Sequence, residues 1–160
     1  MEKDFFEDCR VGDRVVTPGR TITEADLVLF AAHTGDWLPP HTDAEYAKTT
    51  LFRERIAHGM LVLAVGSALL LRLGESTFLP KSSIAVAEVD KVCFRAPTKI
   101  GDTLYLESEV VRLTEVDRKR GLIVIHCEIK NQRGAAVVSF TAKTLAGRKP
   151  AGAVHSQVHQ

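Results

Sequence analysis

The chain has 160 residues, of which 45% are hydrophobic and 26% are charged, and its formal net charge is +1 at pH 7. This length predicts one domain that can bury a sizeable core, and the composition is that of a soluble globular protein. A net charge so close to zero argues against nucleic acid or an anionic membrane as a partner. The three cysteines, Cys9, Cys93 and Cys127, form no Cys-x-x-Cys pair, which favours free thiols in a reducing compartment.

The N-terminus and the longest apolar run both bear on localisation. Residues 1–4 are too acidic for a secretory signal, and no apolar run follows them. The longest apolar run, residues 60–71, is too short to span a bilayer. We therefore expect no membrane association and a cytoplasmic location.

The first half of the chain carries helix signals. Thr23 followed by Asp26 is a capping-box pattern, apolar residues then recur at helical spacing, and Gly35 is a natural stop, which predicts a helix over 24–34. Asp43 can cap a second, short helix that ends near Thr49.

The second half predicts a helix followed by a sheet. Residues 60–71 are apolar on nearly every side, and such a helix is expected to be buried all round. The four segments that follow alternate in polarity or are strand-like, and their short connections predict antiparallel neighbours: 83–95, 103–114, 122–131 and 135–146. Cys93 and Cys127 lie in these segments and are expected in the core, as is Tyr46.

The expected fold class is α+β, a hot-dog fold in which a curved antiparallel sheet wraps a long central apolar helix. We expect a single domain over 1–148 and a flexible tail over 149–160.

One motif stands apart from this framework. Asp36 and His41 lie five positions apart across Pro39 and Pro40. Proline fixes φ and removes a backbone donor, which predicts a rigid loop rather than a helix here. A carboxylate and an imidazole aimed at one point can bind and polarise a water molecule. The same pattern also fits a turn aspartate and an exposed histidine without chemistry.

The motif and the predicted architecture together resemble the MaoC-like dehydratases and (R)-specific enoyl-CoA hydratases. The resemblance rests on Gly35-Asp36-Trp37, Pro39, His41 and Asp43, and on Ile56-Ala57-His58-Gly59-Met60. It extends over about residues 11–145, with Phe94-Arg95-Ala96-Pro97 and Gly101-Asp102-Thr103-Leu104 matching that family's strand–turn–strand segment. The family usually has asparagine where this chain has Leu38.

The resemblance implies water addition across the α,β double bond of an enoyl thioester, giving an (R)-3-hydroxyacyl thioester, or the reverse. Asp36 is then the expected base, and His41 is expected to hold the same water and share its proton traffic. The Gly59 backbone N–H, at the start of a helix, is expected to donate to the thioester oxygen. No metal or redox cofactor is expected.

Further expectations follow from the same resemblance. Leu38, His58 and Ser67 are candidate substrate-binding residues, although His58 also fits a structural role and Ser67 also fits a packing residue bonded to its own helix. The substrate is expected to be an acyl-CoA or acyl-carrier-protein thioester, and the protein a homodimer. For the phosphates of CoA, the candidate partners are Lys91, Arg95 and Lys99, without an order among them.

Two alternatives remain open from the sequence. A hot-dog thioesterase would use a carboxylate on or near the central helix, and residues 60–73 contain neither Asp nor Glu. A non-catalytic acyl-thioester-binding subunit of a heterodimer is the second alternative, and Leu38 is the feature that supports it.

Overall fold

The computed structural model describes residues 2–74 and 77–150, and it confirms the α+β class. The helices are α1 Glu24–Thr34, α2 Pro39–Thr42, α3 Ala44–Thr49 and α4 Gly59–Ala68, with short 3-10 turns at Phe6–Asp8 and Leu69–Leu73. The strands are β1 Arg14–Val16, β2 Arg20–Thr21, β3 Ser83–Phe94, β4 Thr103–Glu115, β5 Arg120–Lys130 and β6 Ala136–Gly147. Within the described ranges no helix is both long enough and apolar enough to cross a bilayer. Residues 151–160 of the predicted tail lie outside the described residues.

The strands form one antiparallel sheet in the order β1-β4-β5-β6-β3, with β2 beside β4. The hairpins β4–β5 and β5–β6 confirm the expected antiparallel neighbours. The expectation that β3 lies beside β4 is wrong, because β3 pairs with β6 at the far side of the sheet. The connection over 95–102 crosses between them and is held by the segment before α4, through the bond from the Ala57 N–H to the Thr98 carbonyl (2.7 Å). This crossover leaves β3 at an edge of the sheet.

The local signals at the helix ends are confirmed. Thr23 and Asp26 form the capping box of α1, and Gly35 ends that helix in the left-handed region at φ 79°. The Asp43 carboxylate accepts the Tyr46 N–H at the start of α3 (2.9 Å). The predicted loop over the two prolines is instead a helical turn, α2. Proline is tolerated in a first turn because its missing N–H has no partner there in any case.

Helix α4 packs on β4, β5 and β6, and the closeness of this contact depends on a glycine. A Cβ at Gly66 would lie 2.3 Å from the Ile129 side chain, so any other residue would force this side chain or the helix to move. The sheet covers only one side of α4, and the expected burial all round is therefore wrong for the single described chain. The exposed side carries a stripe of small or apolar residues, with Met60 58% and Leu71 81% exposed and Ala64, Ser67 and Ala68 between them.

Two of the predicted core residues are also exposed. Cys93 lies on the uncovered edge strand β3 and Tyr46 on the outer face of α3. Cys127 is buried as expected, and burial raises the pKa of its thiol to about 11, which makes it chemically inert at neutral pH.

Asp102 holds the crossover connection to the rest of the sheet. Its buried carboxylate accepts the Lys99 N–H (2.9 Å) and the Gln132 side-chain amide (2.8 Å), and it pairs with Arg133 (3.3 Å). Burial alone raises the pKa of this carboxyl, but these donors outweigh burial and place it below its usual range. The connection that lies against the segment before α4 therefore depends on an ionised Asp102.

We expect Asp102→Ala to lower the free energy of unfolding at pH 7 by about 2 kcal/mol, because it leaves buried donors without an acceptor. Since the pKa of Asp102 is lowered on folding, its contribution is present above the unfolded pKa of about 4 and is lost as pH falls through the folded pKa. Urea unfolding of both proteins at a series of pH values from 7 downward checks this, and Asp102→Asn separates the lost charge from the lost shape. A difference in stability that did not shrink with falling pH would contradict the assignment.

Candidate active site

The site forms where the end of α1, the turn α2 and the start of α4 meet. Gly35 ends α1 and places Asp36 immediately after it, and α2 presents His41. The turn between them is held by the Thr42 hydroxyl, which donates to the carbonyls of Trp37 (3.0 Å) and Leu38 (3.1 Å). The spacing seen in the sequence thus becomes a fixed geometry.

Two histidines connect these segments reciprocally. The Nδ1 of His41 lies 2.7 Å from the Ile56 carbonyl, just before α4, and the Nε2 of His58 lies 3.0 Å from the Asp36 carbonyl, just after α1. A carbonyl oxygen can only accept, so each of these nitrogens carries the proton. The two rings are stacked, with centroids 3.9 Å apart and planes inclined by 27°. His41 therefore keeps its Nε2 as a free acceptor in a fixed orientation.

The Asp36 carboxylate is half-buried and has few donors around it. Its only hydrogen bond among the described residues is a long one from the Leu38 N–H, at 3.4 Å. Ligand-type atoms of Asp36, His41 and His58 all lie within 4.8 Å of one another. A carboxylate with free oxygens beside an imidazole nitrogen is suited to hold a water molecule and take its proton.

Asp36, His41 and His58 are also a donor set that a divalent cation uses, but their orientation fits a metal poorly. Imidazole binds a metal through a lone pair in the ring plane, and two nearly parallel stacked rings aim those lone pairs side by side rather than at one point. One nitrogen of each ring is already committed to a backbone carbonyl, and the Nδ1 of His58 is buried without a partner among the described residues. That no metal is needed stays a prediction.

Two cavities meet at His41, Gly59 and Met60, which line both of them. The smaller has a volume of about 380 Å³ and is also lined by Phe30, Thr34, Asp36 and His58. The larger, about 510 Å³, runs between α4 and the crossover connection and is walled by Phe52, Ile56, Val62, Phe94, Pro97 and Val138, among others. Both volumes lie in the range of small-molecule sites. Gly59, which has no side chain, thus borders the space next to Asp36 and His41.

The structure brings some of the expected site residues together and leaves others apart. Asp36, His41, His58 and Gly59 all line the smaller cavity. Leu38 is 62% exposed and lines neither cavity. Ser67 is exposed on α4, its hydroxyl donates to the Ala64 carbonyl (3.1 Å), and it too lines neither cavity. Substrate contact by these two residues stays a prediction that the described chain does not support.

The sequence did not single out two aromatic side chains that shape the site. Phe30 packs against the His58 ring, with centroids 4.9 Å apart, and Phe94 lies over Gly59. Helical spacing assigns Phe30 to the inner side of α1, but only the folded chain shows that this side meets His58. Phe94 is brought to Gly59 by the long-range position of β3.

Comparison with known proteins gives a consistent family. The model of the MaoC like domain matches residues 8–131. An (R)-specific enoyl-CoA hydratase from Rhodospirillum rubrum is 40% identical over 62% of this chain and 65% of its own length. A 3-hydroxybutyryl-CoA dehydratase from Methylorubrum extorquens is 34% identical over 87% of this chain and 85% of its own. Protein MaoC from Klebsiella aerogenes is 33% identical over 70% of this chain, which spans only 32% of that longer protein.

Solved structures agree on the fold. A structure titled as the monoamine oxidase regulatory protein from Archaeoglobus fulgius superposes with a TM-score of 0.86 at 36% identity, covering 92% of this chain and 97% of that one. The MaoC-like dehydratase from Rhodospirillum rubrum superposes at 0.79 with 30% identity, covering 91% and 98%. A Mycobacterium tuberculosis protein titled as a double hot-dog fold is 21% identical, covers 96% of this chain and 47% of that one, and at 0.74 supports the fold alone. With this fold, and with its Asp36, His41 and Gly59 gathered at one site, the chain belongs to the MaoC-like dehydratase family.

Proposed function

We propose that this protein adds water to trans-2-enoyl thioesters to give (R)-3-hydroxyacyl thioesters, or catalyses the reverse dehydration. The observation that carries the proposal is the Asp36 carboxylate and the free His41 nitrogen next to the N-terminus of α4 at Gly59. The names of the relatives, an (R)-specific enoyl-CoA hydratase and a 3-hydroxybutyryl-CoA dehydratase, support the substrate class and the R configuration. Free cysteines are consistent with a cytoplasmic location.

In the hydration direction a water molecule lies between Asp36 and the Nε2 of His41. The carboxylate takes one proton as the water oxygen bonds to C3, and the electrons of the double bond move toward the thioester oxygen. His41 orients the water and relays the proton, which is returned to C2 as the enolate collapses. The water thus adds as H and OH, and no other reactant is consumed.

Gly59 is suited to stabilise the enolate. It begins α4, and the first N–H groups of a helix have no partner within the helix and lie at its positive end. A Cβ here would lie 2.8 Å from the ring of Phe94, which lines the larger cavity, so a side chain would force this ring to move. Glycine keeps both the N–H and the space in front of it open for a thioester oxygen.

His58 has a supporting part in this proposal. Its N–H fixes the backbone carbonyl of Asp36, and its ring supports the His41 ring on one side. It is buried although it lines the smaller cavity, and we assign it a role through these two residues. We therefore propose a positioning role for His58, and substrate binding by this residue stays an untested prediction.

We also propose a homodimer, formed through β3 and the exposed side of α4. In the described chain β3 is an edge strand whose apolar side chains face outward, with Ile84 and Val86 both 58% exposed. Such an edge offers unpaired backbone groups, and an antiparallel pairing about a two-fold axis satisfies both copies equally. The exposed stripe of α4 would then gain the cover that its sequence predicts, because a helix apolar on all sides needs burial on all sides.

Loss of the enoyl-thioester absorbance of crotonyl-CoA, with the C3 configuration of the product determined, tests the activity directly. We expect Asp36→Asn and His41→Ala each to lower the rate by about 10²-fold or more, the effect of losing a general acid–base group. Asp43→Asn, which keeps the cap of α3, and His33→Ala, on the exposed end of α1, are matched controls that should keep the rate. Release of free CoA thiol instead of hydration would indicate a thioesterase, and near-normal rates in both site variants would refute these roles.

For His58 we expect His58→Phe, which keeps a ring against His41 but loses the bond to Asp36, to lower kcat on the order of tenfold with little change in KM. His58→Gln keeps a donor and should recover part of that loss. Thermal unfolding of each variant is the control. If kcat merely followed the loss of folded protein, the residue would be structural only.

The dimer is tested by sedimentation equilibrium. We expect the wild-type protein to have twice the chain mass, and Val86→Lys to dissociate it because a charge on a sheet edge opposes pairing. Val116→Lys, at an exposed apolar position on the β4–β5 turn, is the matched control that should remain dimeric. If the wild-type protein were a monomer at micromolar concentration, the homodimer would be refuted, and any partner of the β3 edge would have to be a different chain.

A further inference from the structure

The larger cavity carries a single permanent charge. Its walls are apolar or neutral apart from His41 and Arg95, and no carboxylate is among its described lining residues. Arg95 is the first residue after β3 and lies at the exposed margin of the cavity. A ligand that enters therefore meets one cation and no balancing anion.

The position of Arg95 is fixed by the sheet. Its Nε donates to the hydroxyl of Ser139 (2.8 Å), which is buried on β6, and its backbone N–H donates to the Val137 carbonyl (2.9 Å). Within the described residues the two terminal guanidinium nitrogens have no acceptor. A guanidinium held by Nε with both terminal N–H groups free presents the planar fork that binds phosphate or carboxylate in bidentate fashion.

The other cations considered for this role are either paired with a carboxylate or do not line the cavity. Lys99 is paired with Glu54, and Arg133 is paired with Asp102. Lys91 lies in an irregular part of the edge strand, with φ 52°, and does not line the cavity. Of the three cations that the sequence left without an order, Arg95 is the one that lines the cavity, and within the described residues its terminal guanidinium nitrogens have no acceptor.

We propose that Arg95 is an anion-binding subsite that anchors a charged group on one arm of the thioester ligand, and this rests on the function proposed above. Two sources supply that chemistry: a phosphate of the CoA arm, or a carboxylate at the far end of the acyl chain. The remaining apolar wall receives the uncharged part of the same arm. Arg95 thus determines affinity for charged ligands, whereas Asp36 and His41 act on the double bond.

Binding of saturated thioesters, which cannot be hydrated, tests the subsite independently of turnover. Calorimetric titration of wild type and Arg95→Gln uses butyryl-CoA, butyryl-pantetheine, which carries no charged group, and glutaryl-pantetheine, whose one charge is the distal carboxylate. We expect Arg95→Gln to raise Kd about tenfold for the ligand with the recognised anion and to leave butyryl-pantetheine unchanged, since one charge-assisted contact is lost. Loss confined to butyryl-CoA identifies the phosphate, and loss confined to glutaryl-pantetheine identifies the carboxylate.

Arg118→Gln, which removes an exposed arginine on the β4–β5 turn that has no ion pair within the described residues, is the matched control and should bind all three ligands as the wild type does. Equal Kd values for wild type and Arg95→Gln with every ligand would overturn the proposal, as would a wild type that binds none of them. Arg95-dependent binding without hydration of crotonyl-CoA would refute the hydratase function alone. Hydration that is intact and insensitive to Arg95 would refute the subsite alone.

Discussion

The reciprocal hydrogen bonds between two imidazoles and two backbone carbonyls are the constraint on which the site depends. His41 and His58 each donate to a carbonyl on the segment that carries the other, at Ile56 and at Asp36. Neither segment is an α-helix at these points, and besides the two imidazole bonds one backbone bond joins them, from the Ile56 N–H to the Pro40 carbonyl (3.2 Å). Because the rings also stack, moving one segment displaces the imidazole on the other. Position, tautomer and orientation are thus fixed by the same pair of contacts.

The packing of α4 on the sheet determines where the N-terminus of this helix lies relative to the cavity. Gly66 lets α4 lie directly on Ile129, and this contact fixes the height of the helix N-terminus above the strands. At that N-terminus Gly59 makes room for Phe94, at the end of β3. Two glycines therefore allow two close approaches: one positions the helix, and the other keeps its free N–H accessible. Larger side chains at either position would change the site without touching Asp36 or His41.

Structural features formed by residues close together in the sequence could be predicted from it. Features that arise from contacts between distant segments could not. The capping box of α1 and its Gly35 stop were predicted correctly because both are formed within a few residues. The closeness of Asp36 and His41 was also predicted from their spacing, whereas the chemistry assigned to them stays a prediction. The pairing of β3 with β6 could not be predicted, since its alternating pattern fits any neighbour in an antiparallel sheet. The position of His58 beneath His41 left no local signal, because it arises only when the two segments meet.

A comparison among the aspartates explains why Asp36 in particular is suited to act as a base. The Asp26 carboxylate accepts from the Thr23 backbone and hydroxyl and from Arg20, and these bonds outweigh burial and lower its pKa. Asp102 is similarly surrounded by donors, with the same result. A carboxylate whose oxygens are occupied and whose charge is compensated has little tendency to take a proton from water. Asp36 has one long bond from a backbone N–H and no cationic partner among the described residues, so its oxygens remain available to water. The same type of side chain is thus held by donors at Asp26 and Asp102, whereas at Asp36 its oxygens remain open, as the proposed role of a base requires.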